Sequence, residues 1–315
     1  MTNLTDPIFT DADKAREYFE TIRWPNGAYC PHCGNADEDE IVKLTSKKHR
    51  TGLYQCRECR EQFTVTVGSV MESSHIPLNK WALGFYLMAS SKKGVSAHQL
   101  MRTLGIGSYR TAWFMAHRIR EAMIEETGDT GPFGGPGKIV EADETYHGKR
   151  ETPRKRKSKP TRGGKQGGAE KRVIVGLVER GGHVRSQRLA MLSRSGIEQA
   201  IRDNVHPESR IMTDTAPYYR KDLLGFAGHE KVNHLKDEYV RGEAYTNTLE
   251  GYFSLFKRGM RGVYQHCREK HLHRYLAEFD FRYNNRVALG VNDEGRAANL
   301  VQGVVGKRLT YRTID

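Results

Sequence analysis

Asp143 stands in the run KIVEADETY, Asp214 ends SRIMTD, and Glu250 lies within AYTNTLEGYFSLFKRG. The first two runs are short and apolar, as strands are, and the third repeats with helical period. Carboxylates at the ends of two strands and on one helix can converge on divalent cations. Phosphodiester chemistry uses such a set, because two metals about 3.5–4 Å apart stabilise both the attacking and the leaving oxygen of an in-line displacement. The acids then neutralise the metal, and the metal bridges them to phosphate. On the helical segment Asn247, Glu250, Ser254 and Lys257 share one face, while Leu249, Phe253, Phe256 and Met260 line another. Lys257 lies two turns beyond Glu250, about 10.5 Å along the axis, a spacing suited to gripping phosphate. Arg258 follows it as a further DNA-contact candidate. Glu144 and His147 read as local surface residues.

A second constellation lies near the N-terminus. Four of the five cysteines fall as Cys30-x-x-Cys33 and Cys56-x-x-Cys59. In a reducing compartment four thiolates at this spacing make one closed tetrahedral zinc site. GLYQC and EQFTVTVGSVM around the second pair alternate as ribbon strands do. Cys267, alone, reads as an ordinary packed thiol.

These residues need elements to hold them. The 315-residue chain is 37% hydrophobic, enough for a sizeable core and two or three domains, and its net charge of +13 favours a polyanionic partner. It has no run of 18 apolar residues and no basic-then-apolar leader, so the expectation is a cytoplasmic, nucleoid-associated protein with no membrane partner. A helix over about Asp11–Trp24, with Ala15, Tyr18, Phe19 and Ile22 on one face, precedes the ribbon. After a helix over about Leu78–Ser91, helices over about Ser96–Leu104 and Tyr109–Met123 flank a GIGS turn, the helix-turn-helix pattern whose second helix can enter a major groove. Arg110, His117, Arg118 and Arg120 are its candidates for DNA contact; Trp113, Phe114 and Ile119 are expected to pack.

ETGDTGPFGGPGK reads as a linker. The strand KIVEADETY follows, and a hairpin turning at Gly181-Gly182 comes after it. Next come a helix with Ser195 as its possible cap, the strand SRIMTD, and helices over about Ala244–Arg258 and Lys270–Tyr283: a mixed α/β domain. Between its first two strands, Gly148–Arg172 carries eleven Lys or Arg, among them Lys155, Arg156, Lys157 and Lys159. Such a segment suits contact with phosphate. The expected organisation is an N-terminal helix and zinc ribbon over 1–74, a helix-turn-helix-like domain over 75–127 and a linker over 128–137. The catalytic domain spans 138–300 with its basic insertion at 148–172, and a tail covers 301–315.

Taken together, CPHCG…CREC…FTVTVGSVMESSHIPLNKW, VEADETYHGK, IMTDTAPYY, TNTLEGYFSLFKRGMRGVYQHC and KHLHRYLAEFDFRYNNR resemble the bacterial insertion-sequence DDE transposases of the ISXO-like group, which carry an N-terminal zinc ribbon. The resemblance runs from about Trp24 to Arg286. It implies an RNase H-like catalytic domain, magnesium or manganese beside the structural zinc, and double-stranded DNA partners: the inverted repeats of an element and its target. It implies metal-dependent strand cleavage and strand transfer, with two or more copies on DNA. Asp143 and Asp214 match the first two acids. The third varies in the family among Asn, His and Glu, and both Asn247 and Glu250 are present; the lysine seven residues beyond Glu250 favours it. Two alternatives share parts of this sequence: a non-catalytic zinc-ribbon and helix-turn-helix regulator, and a metal-dependent nuclease without strand transfer.

Overall fold

The computed structural model describes residues 4–125, 131–151, 171–219, 225–232, 243 and 245–310. The chain forms two compact units, Met1–Ile124 with Asn285–Asp315, and Glu125–Asn284.

In the first unit, α1 (Ala12–Arg23) starts where the Asp11 side chain accepts from the amides of Asp13 and Lys14. It presents Ala15 and Phe19 to the core, and Phe19 meets Phe85 of α2 (Leu78–Ser90) edge-on at 5.9 Å. The ribbon is an antiparallel sheet in the order β1 (Ile41–Lys43), β2 (Tyr54–Cys56), β3 (Gln62–Phe63). So small a sheet cannot bury a core alone. Trp24 at the end of α1 supplies one, meeting Tyr54 at 5.2 Å and Phe63 at 5.9 Å. Then come α3 (Ala97–Thr103) and α4 (Tyr109–Ala122). Gly84 of α2 lets α4 approach, since a Cβ there would stand 2.6 Å from the Met115 side chain. The last helix, α8 (Asp293–Gln302), packs against α2 and α1, not in the domain expected over 138–300. Its buried Arg296 donates to the carbonyl of Asn285 and pairs with Asp293, a use of arginine that periodicity does not reveal.

The second unit is built on a five-stranded sheet in the order β6 (Val184–Leu189), β5 (Lys171–Glu179), β4 (Ile139–Lys149), β7 (Arg210–Asp214), β8 (Gly228–Val232). β4, β5 and β6 pair antiparallel, and β7 and β8 run parallel to β4. This order, with its first strand central, is the RNase H-like arrangement. Both faces of the sheet are covered, which is why β5 reads VIVGLV without alternation. On one face α5 (Arg194–Asn204) packs Ile197 and Ile201 over Val140, Ala142, Val175 and Leu177. On the other, α6 (Asn247–Gly259) and α7 (Leu272–Asn284) set Leu249, Phe253, Phe256 and Phe279 over Ile174 and Val178. The cap of α5 is Ser193, whose hydroxyl accepts from the Gly196 amide, and not the expected Ser195. Lys155, Arg156, Lys157 and Lys159 lie outside the described residues.

Candidate active site

The four cysteines of the ribbon converge. Their sulfurs lie within 4.8 Å of one another, with Cys30 to Cys59 at 3.6 Å and Cys33 to Cys56 at 3.7 Å. Tetrahedral zinc with bonds of about 2.3 Å sets its ligand sulfurs about 3.8 Å apart, so the set fits a structural zinc ion. Gly34, at φ +83°, turns the first knuckle so that its amide donates to the Cys30 carbonyl.

The two helices around the GIGS turn form as expected, with Ser96 capping α3 through the amide of Gln99. Their side chains sort differently. Arg110 is exposed in the first turn of α4, beside exposed Tyr109. His117, Arg118 and Arg120 are buried, which removes them from the DNA-contact candidates. Arg118 donates to the carbonyl of Glu72 and lies over the rings of Trp81 and Phe114. A long aliphatic stem with an end that finds a carbonyl satisfies burial as well as a leucine does.

The acids meet just beyond the parallel pairing of β4 and β7: β7 stops at Asp214, whereas Asp143, expected at a strand end, lies inside β4, which runs on to Lys149 against β5. Glu141 of β4 pairs in register with Met212 of β7, and two residues on along each strand stand Asp143 and Asp214. Asp143 accepts from the Glu144 amide at 2.8 Å and Asp214 from that of Ala216 at 2.9 Å. Above them α6 brings Glu250, Ser254 and Lys257 to a cleft also lined by Asp143, Glu144, Thr145, Phe253, Arg258 and Arg261. Thr246 donates to the Glu250 carboxylate at 3.3 Å. Asn247, one turn earlier, is exposed and is not among the lining residues. Arg258 is exposed at the rim, with its Nε on the Ser254 carbonyl.

Electrostatics mark the floor of this cleft. Burial, then the charges of Glu144, Asp214 and Glu250, push the Asp143 carboxyl from its ordinary 3.8 up to about 8. Glu144 rises to about 7 through burial and the charge of Asp214. Lys257 is held below its ordinary value by burial, with Arg261 and Lys171 adding to the effect and Asp143 opposing it. His147 is half-buried, edge-on to Phe256 at 5.4 Å, and falls to about 4 through burial and the cations Arg172, Arg261 and Lys257. It is therefore neutral at physiological pH. A buried oxygen of Glu144 meets no donor at hydrogen-bonding geometry. Crowded carboxylates with an oxygen to spare are the donor set that hard divalent cations take.

Glu144 is thus part of the site, where the sequence reading left it on the surface. Its signal is its place beside Asp143, but an acid next to an acid reads equally as solvated. Glu141, fully buried, was missed outright.

Comparison with known proteins falls on the same two regions. Residues 135–284 match the ISXO2-like transposase domain and residues 10–62 the transposase zinc-ribbon domain. A protein of the transposable element ISH50 from Halobacterium salinarum is 28% identical over 287 residues, 87% of this chain and 91% of that one. Among solved structures, a chain of the Mos1 strand transfer complex matches 70% of this chain and 73% of its own at 12% identity, with a TM-score of 0.28. One from the simian T-cell lymphotropic virus intasome in complex with PP2A regulatory subunit B56 gamma matches 64% and 65% at 13% identity, with a TM-score of 0.29. Scores this low carry no argument about the fold, which rests on the strand order above.

Proposed function

Since the chain is a transposase-family protein, carrying an ISXO2-like transposase domain behind a transposase zinc ribbon, we propose that it binds the terminal inverted repeats of an insertion sequence and catalyses DNA strand cleavage and strand transfer. The observation that carries this is the cleft that Asp143 lines with Glu250 and Lys257 of the helix above, with the charge of Asp214 acting on Asp143 from the end of the neighbouring strand. Asp143, Asp214 and Glu250 would hold magnesium or manganese, with Glu144 beside them. When bound, the cations supply Lewis-acid activation of the attacking oxygen and neutralise charge on the leaving one. Asp143, half-buried among other acids, holds a charge that is costly without a cation, so a cation there would be bound the more strongly. Lys257 and Arg258 sit where a phosphate beside the acids would be gripped, and Arg261 extends that cationic side.

In the first step water attacks the phosphodiester at the element's end, and the bond to the 3′-oxygen breaks to leave a free 3′-hydroxyl. In the second that hydroxyl attacks a target phosphodiester, joining the element and releasing a target 3′-hydroxyl. No protein side chain becomes bonded to DNA. His147 packs edge-on to Phe256 and is not among the residues lining the cleft, and the mechanism uses no histidine base. Outside the cleft, exposed Arg110 at the start of α4 is placed as groove-reading helices place their contacts, and the basic insertion with Lys155, Arg156, Lys157 and Lys159 would follow phosphate. Two or more copies would act together on DNA.

The test is cleavage of a labelled inverted-repeat duplex in magnesium or manganese, alongside binding in calcium. Asp143→Asn and Asp214→Asn are expected to abolish cleavage and transfer while binding stays near wild type or tightens. Glu250→Gln is expected to be as inactive, and Asn247→Ala to keep partial activity. Lys257→Ala should bind less well even in calcium. Full cleavage by Asp143→Asn would sink the reading, and full cleavage by Glu250→Gln with none by Asn247→Ala would move the third position to the asparagine.

A further inference from the structure

We propose that Glu141 is a positioning residue, clamping the first turn of α6 to β4 so that, together with Gly176, it sets the separation between the carboxylates of Asp143 and Glu250. The inference rests on the reading of those acids as a cation site.

Glu141 and Asp143 are two apart on β4 and so point to the same face of the sheet, the one that α6 covers. The Glu141 side chain is fully buried, and both its oxygens are in use. Oε2 accepts from the Leu249 amide at 3.0 Å. Oε1 accepts from the Thr248 hydroxyl at 2.9 Å and from Arg180 Nε at 2.7 Å. Arg180 in turn donates to the carbonyls of Glu243 and Tyr245, at 2.7 and 2.8 Å, and lies 3.4 Å from the centre of the Tyr245 ring. The clamp therefore holds both the first turn of the helix and the chain leading into it.

A helix begins with amides that its own backbone cannot satisfy. Usually a serine, threonine or aspartate at the cap position serves them, and does so without regard to anything else in the fold. Here Thr246 holds the cap position and makes no such bond; the Leu249 amide is satisfied instead by an acid from the strand that bears Asp143. The charge suits the positive end of the helix dipole and is met by Arg180. The consequence is geometric: α6 cannot slide or turn on the sheet without breaking bonds to the residue two before Asp143.

The approach across the sheet is fixed as well. Gly176 pairs in register with Asp143. A Cβ there would stand 2.7 Å from Phe253 Cζ and 2.8 Å from Leu249 Cδ1, so the helix lies as near the sheet as a glycine allows. Leu249 is the neighbour of Glu250. The clamp and the notch together fix the backbone that carries Glu250 relative to the strand that carries Asp143, and so limit how far apart the two carboxylates can stand. Magnesium makes such rigidity useful, because it demands near-ideal octahedral geometry at about 2.0–2.1 Å, whereas manganese is softer in its requirements.

Glu141→Gln keeps the size of the side chain but offers one acceptor oxygen where two are used, and it does not pair charge with Arg180. In the zinc-loaded full chain we expect manganese affinity, followed by electron paramagnetic resonance, to fall about 10–100-fold, as when residues that orient metal ligands are changed. Hydrogen exchange should speed at 247–250, and cleavage should fall further in magnesium than in manganese. Manganese affinity within twofold of wild type, even with a lowered melting temperature, would overturn the proposal by making Glu141 structural only. Should Glu141→Gln not fold, Thr248→Val removes a single donor at similar shape and should weaken manganese about 3–10-fold; no change there overturns the proposal equally. Wild type and Asp143→Asn binding manganese alike would instead overturn the cation site itself, a failure distinct from that of the clamp.

Discussion

Replacing Asp143 by asparagine should stabilise the metal-free protein at neutral pH while abolishing its chemistry. The Asp143 carboxyl has an ordinary value of 3.8 and is raised to about 8 in the fold, first by burial and then by Glu144, Asp214 and Glu250. Between those values the folded state binds more protons than the unfolded one, so the stability this group contributes is intact below about pH 4 and is lost as pH rises towards 8. At about 1.4 kcal/mol per pH unit, the interval from 3.8 to pH 7 bounds the cost at roughly 4 kcal/mol. Water reaching the open cleft screens part of it, and a gain on the order of 1–3 kcal/mol is expected for Asp143→Asn. For a unit of this size that is roughly 2–10 °C in melting temperature. The assay is thermal unfolding of both proteins in a magnesium and manganese chelator from pH 4 to 8, and again with manganese. In chelator the asparagine protein should gain its advantage only as pH rises. With manganese the order should reverse, because a ligand present at a thousand times its dissociation constant adds about 4.1 kcal/mol to the wild type and nothing to the variant. Equal melting temperatures across the pH range, or an equal response to manganese, would refute the account of the cleft as a crowded acid site completed by a cation.

The remaining expectations concern the ribbon and the DNA contacts. Cys33→Ser should lose stoichiometric zinc and unfold the ribbon, since such sites supply much of a small module's folding energy; zinc retained on elemental analysis would rule the site out. Changing Lys155, Arg156, Lys157 and Lys159 to glutamine should weaken binding to all DNA sequences alike and reduce the slope of log affinity against log salt by up to about 3.6, at roughly 0.9 per phosphate contact. Lost preference for one sequence with an unchanged slope would mean that the segment reads bases. On α4, Arg118→Ala should cost on the order of 1–3 kcal/mol of stability, because it leaves the Glu72 carbonyl without its donor and opens a gap beside Trp81. Arg110→Ala should leave melting unchanged and weaken DNA binding. The reverse pattern in these two variants would restore Arg118 as a DNA contact.

What the sequence made legible were features whose physics is local. Paired cysteines at knuckle spacing, the apolar face of α6 and the acid closing β7 follow from residue type and period and lie where the pattern placed them, whereas Asp143 lies inside β4 and not at its end. What it hid were residues whose role depends on a distant partner. β8 reads GHEKV, with one apolar residue, and is a strand only because β7 lends it a ladder at the sheet edge. Arg118 and Arg296 look solvated until the carbonyls that receive them are known. Glu141 is the instructive case, because its nearest sequence neighbours gave every reason to count it as one more acid in a charged stretch. Its partners Arg180, Thr248 and Leu249 lie 39, 107 and 108 residues away, and only the fold brings them together. The chemistry of the cleft is thus readable from the acids themselves, whereas their spacing is written in groups that touch no substrate and have no motif of their own.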